Sequence, residues 1–363
     1  MTSLIRRLLL GLGVIACGSA GAAQRDPLAP LPVSPPMHVP PQAPPATFAT
    51  GVAPSALRDD INRLGRGFDG KAGIAVVSLR DGWAVDFAST SLFPQQSCSK
   101  LWVAITALDA IDRGVVSLSD RVTIARDDLT LFHQPIAARI RGGGHTTTVG
   151  ALLFTAITGS DNTANDSLMR SIGGPAAVRD MIQRKGLGAV RFFDGERSLQ
   201  SRIAGLTWSQ SYSIGDAFYK ARSALPMPIR RASFERYLSD PYDGAAPRSV
   251  ATALTRLKRG DLLSPASTAR LLSIMGQTRT GKARVRAALA TGWRWSHKTG
   301  TGQALGGRIG GINDIGLLTA PDGTVYAMAL MTVPNKSNGQ AQGLMQAVTK
   351  AVIAAHERRR AGY

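Results

Sequence analysis

The sequence predicts an α/β (α+β) fold: an antiparallel sheet assembled from both chain ends and flanked by helices, with an all-helical lobe inserted in the middle. Two observations carry this. Strand-like apolar runs bounded by turn residues lie near the start, at 72–79 and 83–87, and again near the end, at 293–297, 309–319 and 324–332. Between about residues 118 and 260 the apolar positions recur at helical spacing instead.

Taken in order, residues 1–23 read as a targeting segment, with Arg6-Arg7, an apolar run from Leu8 to Ala16 and then small residues. The run is too short to span a membrane, so it reads as a secretory signal. Ala20-Gly21-Ala22 offers an ordinary cleavage site. Val14-Ile15-Ala16-Cys17 resembles the lipobox of bacterial lipoproteins, and a lipidated Cys17 anchored to a membrane is the reading preferred here. Residues 24–54 hold nine of the twenty prolines between Pro27 and Pro45 and almost no charge, which predicts an extended linker without a packed core. A single catalytic domain is expected over 55–363.

Leu57, Ile61 and Leu64 mark an amphipathic first helix. Arg80-Asp81-Gly82 joins the first two strands as an Asp-Gly hairpin. The run Leu101 to Ile111 reads as a buried helix, and the helical lobe extends over about 98–260. Pro321-Asp322-Gly323 turns the last two strands, and a closing amphipathic helix is expected over 340–356.

Composition removes several classes of function. The chain has 363 residues, and its 44% hydrophobic content is ordinary for a globular protein. Only Cys17 and Cys98 occur, so no disulfide framework is implied. The five histidines lack any metal-ligand spacing, so neither a zinc site nor another metal is expected. The formal charge of +19 comes from basic residues spread along the chain, without a recognition helix or aromatic-interleaved basic run. A nucleic-acid partner is therefore not expected. Monomer is the default.

Three short motifs carry chemistry. Ser97 and Lys100 stand three residues apart at the head of the buried helix, so they share a face. A lysine desolvated in an apolar cleft can serve as base for a serine nucleophile. Ser160-Asp161-Asn162 follows the apolar segment 149–157, and Lys298-Thr299-Gly300-Thr301-Gly302 follows a strand-like Trp293 to Ser296. Each is cheap alone. Their combination in this order resembles the serine β-lactamase and penicillin-binding protein superfamily, with class A β-lactamases the nearest branch, from about Leu57 to Val352.

That resemblance implies a β-lactamase/transpeptidase-like fold and a division of labour. Ser97 would be the nucleophile and Lys100 its base or proton relay. The backbone N–H groups of Ser97 and Thr301 would hold the oxyanion, and Ser160 would protonate the leaving nitrogen. Asn162 would hold the substrate amide and the lysine. Lys298, Thr299, Gly300 and Thr301 would line the carboxylate end of the substrate, with Arg308 binding the same carboxylate. Phe132 would wall the mouth of the cleft. No organic cofactor is implied.

Glu196 lies in Arg191-Phe192-Phe193-Asp194-Gly195-Glu196-Arg197-Ser198-Leu199-Gln200, which resembles the class A Glu-x-x-Leu-Asn pattern and would make it the deacylation base. The stretch departs from that pattern twice. Gln200 replaces the asparagine that helps hold the water, and Asp194 replaces an arginine that pins this loop. Extra chain at about 207–237 also lengthens the interval to Lys298, and Glu235 and Asp240 there are rival carboxylates. The expected activity is opening of a small-molecule β-lactam. A D-alanyl-D-alanine carboxypeptidase acting on peptidoglycan stem peptides, or an idle penicillin-binding module, are the alternatives. The expected location is the periplasm.

Overall fold

The apolar stripe of the first helix does what its spacing predicts, burying Leu57 and Ile61 from α1 (Ser55–Arg66) against the sheet. The computed structural model describes residues 51–336 and 338–361. Cys17, the targeting segment and nearly all of the proline-rich stretch lie outside the described residues.

The strands are β1 (Gly70–Ser78), β2 (Ala84–Phe87), β3 (Phe93–Pro94), β4 (Arg121–Ile124), β5 (His145–Thr148), β6 (Gly244–Ala245), β7 (Arg294–Thr301), β8 (Ala304–Leu305), β9 (Arg308–Ile309), β10 (Ile312–Thr319) and β11 (Val325–Pro334). Five of them form the main sheet in the order β2-β1-β11-β10-β7. Every neighbouring pair in it is antiparallel, so the sheet is closed by strands from the two chain ends. The hairpin at Asp81-Gly82 forms as expected, with Gly82 at a φ of 68° that favours glycine.

The period-2 alternation assigns each strand residue to a face. Ile74, Val76, Met328 and Leu330 pack with Leu57 of α1 and with Met345 and Val348 of the closing helix. Ala75, Val77, Ala327 and Ala329 point the other way, toward the helical lobe.

The remaining helices are α2 (Lys100–Asp112), α3 (Val149–Thr158), α4 (Asn162–Ser171), α5 (Gly174–Arg184), α6 (Glu196–Ile203), α7 (Ala217–Ala224), α8 (Met227–Ser239), α9 (Pro247–Arg259), α10 (Pro265–Gly276) and α11 (Asn338–Arg360). α2 is buried from Lys100 to Ala110, because it is apolar on every face and can satisfy itself only inside a core. Each fully buried Leu or Ile there contributes about 1.5–3 kcal/mol. That burial offsets the cost of holding Lys100 out of water at the helix start.

Two details differ from the sequence expectation. The lobe is interrupted by a ribbon in which β4 pairs with β5, where Val122, Thr123, Ile124 and Thr146 to Thr148 supply β-branched side chains that suit a strand, and by the two-residue β6, which pairs with β3. The expected strand at 309–319 begins instead at Ile312. Gly310 and Gly311 interrupt it, and Arg308–Ile309 folds back on Ala304–Leu305 as a separate hairpin.

Candidate active site

Ser97 sits in a 3-10 turn, Gln96–Ser99, that runs directly into α2, and the hydroxyl of Ser99 ties the turn by donating to the Gln96 carbonyl at 2.8 Å. β7 lies hard against this turn. A Cβ on Gly300 would come within 2.3 Å of the Gln95 carbonyl oxygen, so only glycine permits the approach. The glycine of the Lys298-Thr299-Gly300 motif thus lets the strand reach the serine.

Lys100 is fully buried. Its ammonium has three donors and meets three acceptors: Ser97 Oγ at 2.7 Å, Asn162 Oδ1 at 2.9 Å and Glu196 Oε1. Asn162 is oriented from its other end, where Nδ2 donates to the Leu131 carbonyl at 2.7 Å. Asp161 caps α4 by accepting from Ala164 N–H at 2.9 Å, and it also accepts from Ile136 N–H at 2.6 Å, which ties the 129–136 loop to the same helix.

Ser160 is held by Lys298, whose Nζ donates to its Oγ at 2.8 Å and to the Thr299 carbonyl at 2.9 Å. Burial, with the positive charge of Lys100 adding to it, pulls the Lys298 ammonium down to about 7. Gln96, Phe132 and Ser160 all adopt positive φ, at 54°, 59° and 59°. For non-glycine residues this costs about 1–3 kcal/mol each, and such strain gathers at functional sites.

Glu196 opens α6 and is buried. Its backbone N–H donates to both carboxylate oxygens of Asp166 at 3.1 Å. Burial, then the neighbouring charge of Glu196, pushes Asp166 up to about 6. One helical turn on, Gln200 Nε2 donates to Glu196 Oε2 at 3.3 Å and to Gln96 Oε1 at 3.2 Å. Asp194 pairs on the surface with Arg179. The start of the loop is tied by its backbone, where Arg191 N–H donates to the Gly244 carbonyl at 2.8 Å and the Arg191 carbonyl accepts from Gln95 Nε2 at 2.9 Å.

These groups border a cleft of about 660 Å³ lined by Ser97, Ser160, Asn162, Glu196, Gln200, Thr299 and Thr301, with Phe132 at its mouth. Lys100 and Lys298 act on it from behind, through the two serines. Across residues 56–356 the chain matches the model described as the Beta-lactamase enzyme family.

The chain belongs to the β-lactamase enzyme family.

It is 26% identical over 286 residues to the extended-spectrum β-lactamase PER-1 of Pseudomonas aeruginosa, covering 78% of this chain and 82% of that protein. It superposes on the crystal structure of a β-lactamase from Chitinophaga pinensis with a TM-score of 0.67 at 25% identity, over 83% of this chain and 99% of that one. PBP-A, solved as an acyl-enzyme complex with penicillin G, shares the fold with a TM-score of 0.65 at 22% identity, over 84% of this chain and 97% of that one. The class A-like serine β-lactamase expectation thus agrees with the family match and the shared fold.

Within this β-lactamase-family cleft one expected residue is misplaced. Arg308 does not line it, because Arg308 Nη1 is held on the surface by Glu235 at 2.5 and 2.8 Å. The guanidinium that lines the cleft beside Thr301 is Arg284. It donates to the carbonyls of Gly300 at 3.0 Å and Asn313 at 2.6 Å, and to Thr301 Oγ1 at 2.6 Å. No motif surrounds Arg284, so spacing in the sequence carries no signal for it. The rival carboxylates fall away as well, since Glu235 serves Arg308 and Asp240 pairs with Arg191.

Cys98 is fully buried with Sγ directed at the Lys298 carbonyl, and burial pushes its thiol up to about 12. A thiol buried this way is a packing group, not an activated nucleophile. His297 is engaged with Asp314 at 2.6 Å inside the sheet. Among the described residues no cluster of metal-ligating side chains occurs, and no helix is long and apolar enough to cross a membrane.

Proposed function

We propose that this chain opens β-lactam rings as a class A-like serine β-lactamase, through a Ser97 acyl-enzyme that Glu196 hydrolyses. The observation that carries the reading is that Lys100 touches Ser97 and Glu196 at once, so one amine links the nucleophile to the Glu196 carboxylate.

As a triple donor Lys100 cannot accept a proton. Passing one to Glu196 through their contact leaves a neutral amine, which takes the Ser97 proton as Oγ attacks the lactam carbonyl. The Ser97 and Thr301 N–H groups would receive the negative oxygen. As the C–N bond breaks, Ser160 gives its proton to the leaving nitrogen and is resupplied by Lys298 at 2.8 Å. Glu196, which lines the open cleft, then releases the proton it took from Lys100 to solvent, and Lys298 recharges from the same source. The freed carboxylate takes a proton from water, whose oxygen attacks the ester; the Lys100 ammonium protonates the departing Ser97 oxygen, and Glu196 returns its new proton to Lys100. Burial of an ion pair such as Lys100–Glu196 costs several kcal/mol in desolvation, so its retention is better explained by proton transfer than by stability.

The test is a time course with a chromogenic cephalosporin and a labelled penicillin on the parent and on Glu196→Ala. Sustained turnover in the parent with the variant trapped as acyl-enzyme is expected. One equivalent of label followed by a stall in both would mean a penicillin-binding peptidase instead. We further propose export through residues 1–23 to the periplasm, with Cys17 as a lipid anchor and 24–54 as its tether to a catalytic domain at 55–363. Cys17→Ser should move the protein out of the membrane fraction, and unchanged fractionation would sink the anchor.

A further inference from the structure

The extra chain at about 207–237 is not a remote appendage, because its helix α7 forms part of the cleft. Tyr219 and Arg222 of α7 line the same cleft as Ser97. Phe218 of α7 is buried and stacks edge-on to Phe132 with ring centroids 5.1 Å apart, and Tyr219 lies 6.0 Å from the same ring. Phe132 and Tyr219 remain 37% and 55% exposed, so their free faces are available to a ligand. Aromatic faces left open beside a cleft favour a ring-bearing ligand.

The charge at this rim is unbalanced. Arg222 is half-buried, with Nη2 donating to the Ala304 carbonyl at 2.6 Å, which fixes its guanidinium beside the end of the Lys298 to Gln303 segment. Neither Arg222 nor its neighbour Arg230 forms an ion pair among the described residues, whereas Arg308 nearby is neutralised by Glu235. Burial and the adjacent charge of Arg230 both work against the Arg222 cation, the signature of a positive group lacking its counter-ion.

Two guanidinium groups therefore border the cleft. Arg284 sits at Thr301, and Arg222 sits three residues further along, at Ala304. Three residues of extended chain reach at most about 10 Å. In a bicyclic β-lactam the ring carboxylate and the acylamino side chain leave opposite sides of the nucleus. A carboxylate held at Arg284 would direct the side chain toward Arg222, Tyr219 and Phe132.

We propose that Arg222, Tyr219 and Phe132 form a side-chain subsite that selects β-lactams whose acylamino group carries an aromatic ring and a second anionic group. This rests on the β-lactamase reading for the position of the ring carboxylate. The inserted segment thus gives the common acylation site a preference for dianionic substrates.

Carbenicillin and benzylpenicillin test this as a pair, since they differ only by a carboxylate on the phenylacetyl carbon. Affinities measured on Ser97→Ala protein are independent of turnover. Carbenicillin should bind about tenfold more tightly than benzylpenicillin, which is about 1.4 kcal/mol for the added charge-assisted hydrogen bond. Adding Arg222→Gln should erase that ratio by weakening carbenicillin about tenfold more than benzylpenicillin, and Arg222→Lys should restore part of it. Equal affinity for the two penicillins with Arg222 present, or a parallel loss for both in Arg222→Gln, overturns the subsite. Turnover of a chromogenic cephalosporin by the unsubstituted protein reports separately on the underlying reading. Its absence alongside a preserved affinity ratio would sink hydrolysis and leave the subsite standing.

Discussion

Gln200 Nε2 donates to Glu196 Oε2 at 3.3 Å, while Gln200 Oε1 accepts from Gln303 Nε2 at 3.0 Å. The longer amide in place of asparagine therefore still reaches the carboxylate, and it is braced from β7's continuation. A role in deacylation makes a specific demand. Gln200→Ala should lower the deacylation rate about tenfold, the worth of one hydrogen bond to a charged group, and leave the acylation rate unchanged. Rapid-mixing measurement of both phases checks it, and equal slowing of the two steps would show that Gln200 only supports the fold.

The Lys298–Ser160 contact carries a pH dependence. Burial lowers Lys298 to about 7, so it is protonated below that pH and neutral above it. Loss of the charge removes the proton source for Ser160 and the attraction for a substrate carboxylate. The expected outcome is a kcat/KM for β-lactams that falls as pH rises through about 7, with an alkaline limb that Lys298→Arg removes because guanidinium stays charged. A profile flat from pH 6 to 9 in the parent would contradict the relay.

Two arginines make opposite predictions. Arg284 lines the cleft beside Thr301, so Arg284→Gln should raise KM for β-lactams about tenfold with a smaller effect on kcat. Arg308 is bound to exposed Glu235 at the surface. Surface pairs are worth little, so Arg308→Ala should leave KM within about twofold and stability within about 1 kcal/mol. Steady-state kinetics on both variants decide between them, and the reverse pattern would restore the role expected of Arg308 from sequence.

Much of this protein was determined by local pattern. Apolar runs bounded by turn residues at 72–79 and 324–332 became β1 and β11, and the apolar run after Lys100 became a helix buried on every face. Ser97 and Lys100 share a face by helical geometry alone, and their contact at 2.7 Å needs nothing distant. Strand ends were less legible, as at Gly310-Gly311, where two glycines break a run whose composition reads as continuous.

What tertiary structure alone decided is which distant groups meet. Glu196 reaches Lys100 across 96 positions, and Lys298 reaches Ser160 across 138. Arg284, not Arg308, lines the cleft beside Thr301: Arg308 lies in the short β8–β9 hairpin and is held outward by Glu235, whereas the residues before β7 carry Arg284 under the Gly300 carbonyl. The inserted segment at 207–237 read as extra length and proved to be a wall of the cleft, through the packing of Phe218 on Phe132. Periodicity and spacing report interactions within a few residues. Charge pairing and aromatic stacking between remote segments depend on where the whole chain places them, and only the assembled fold determines that.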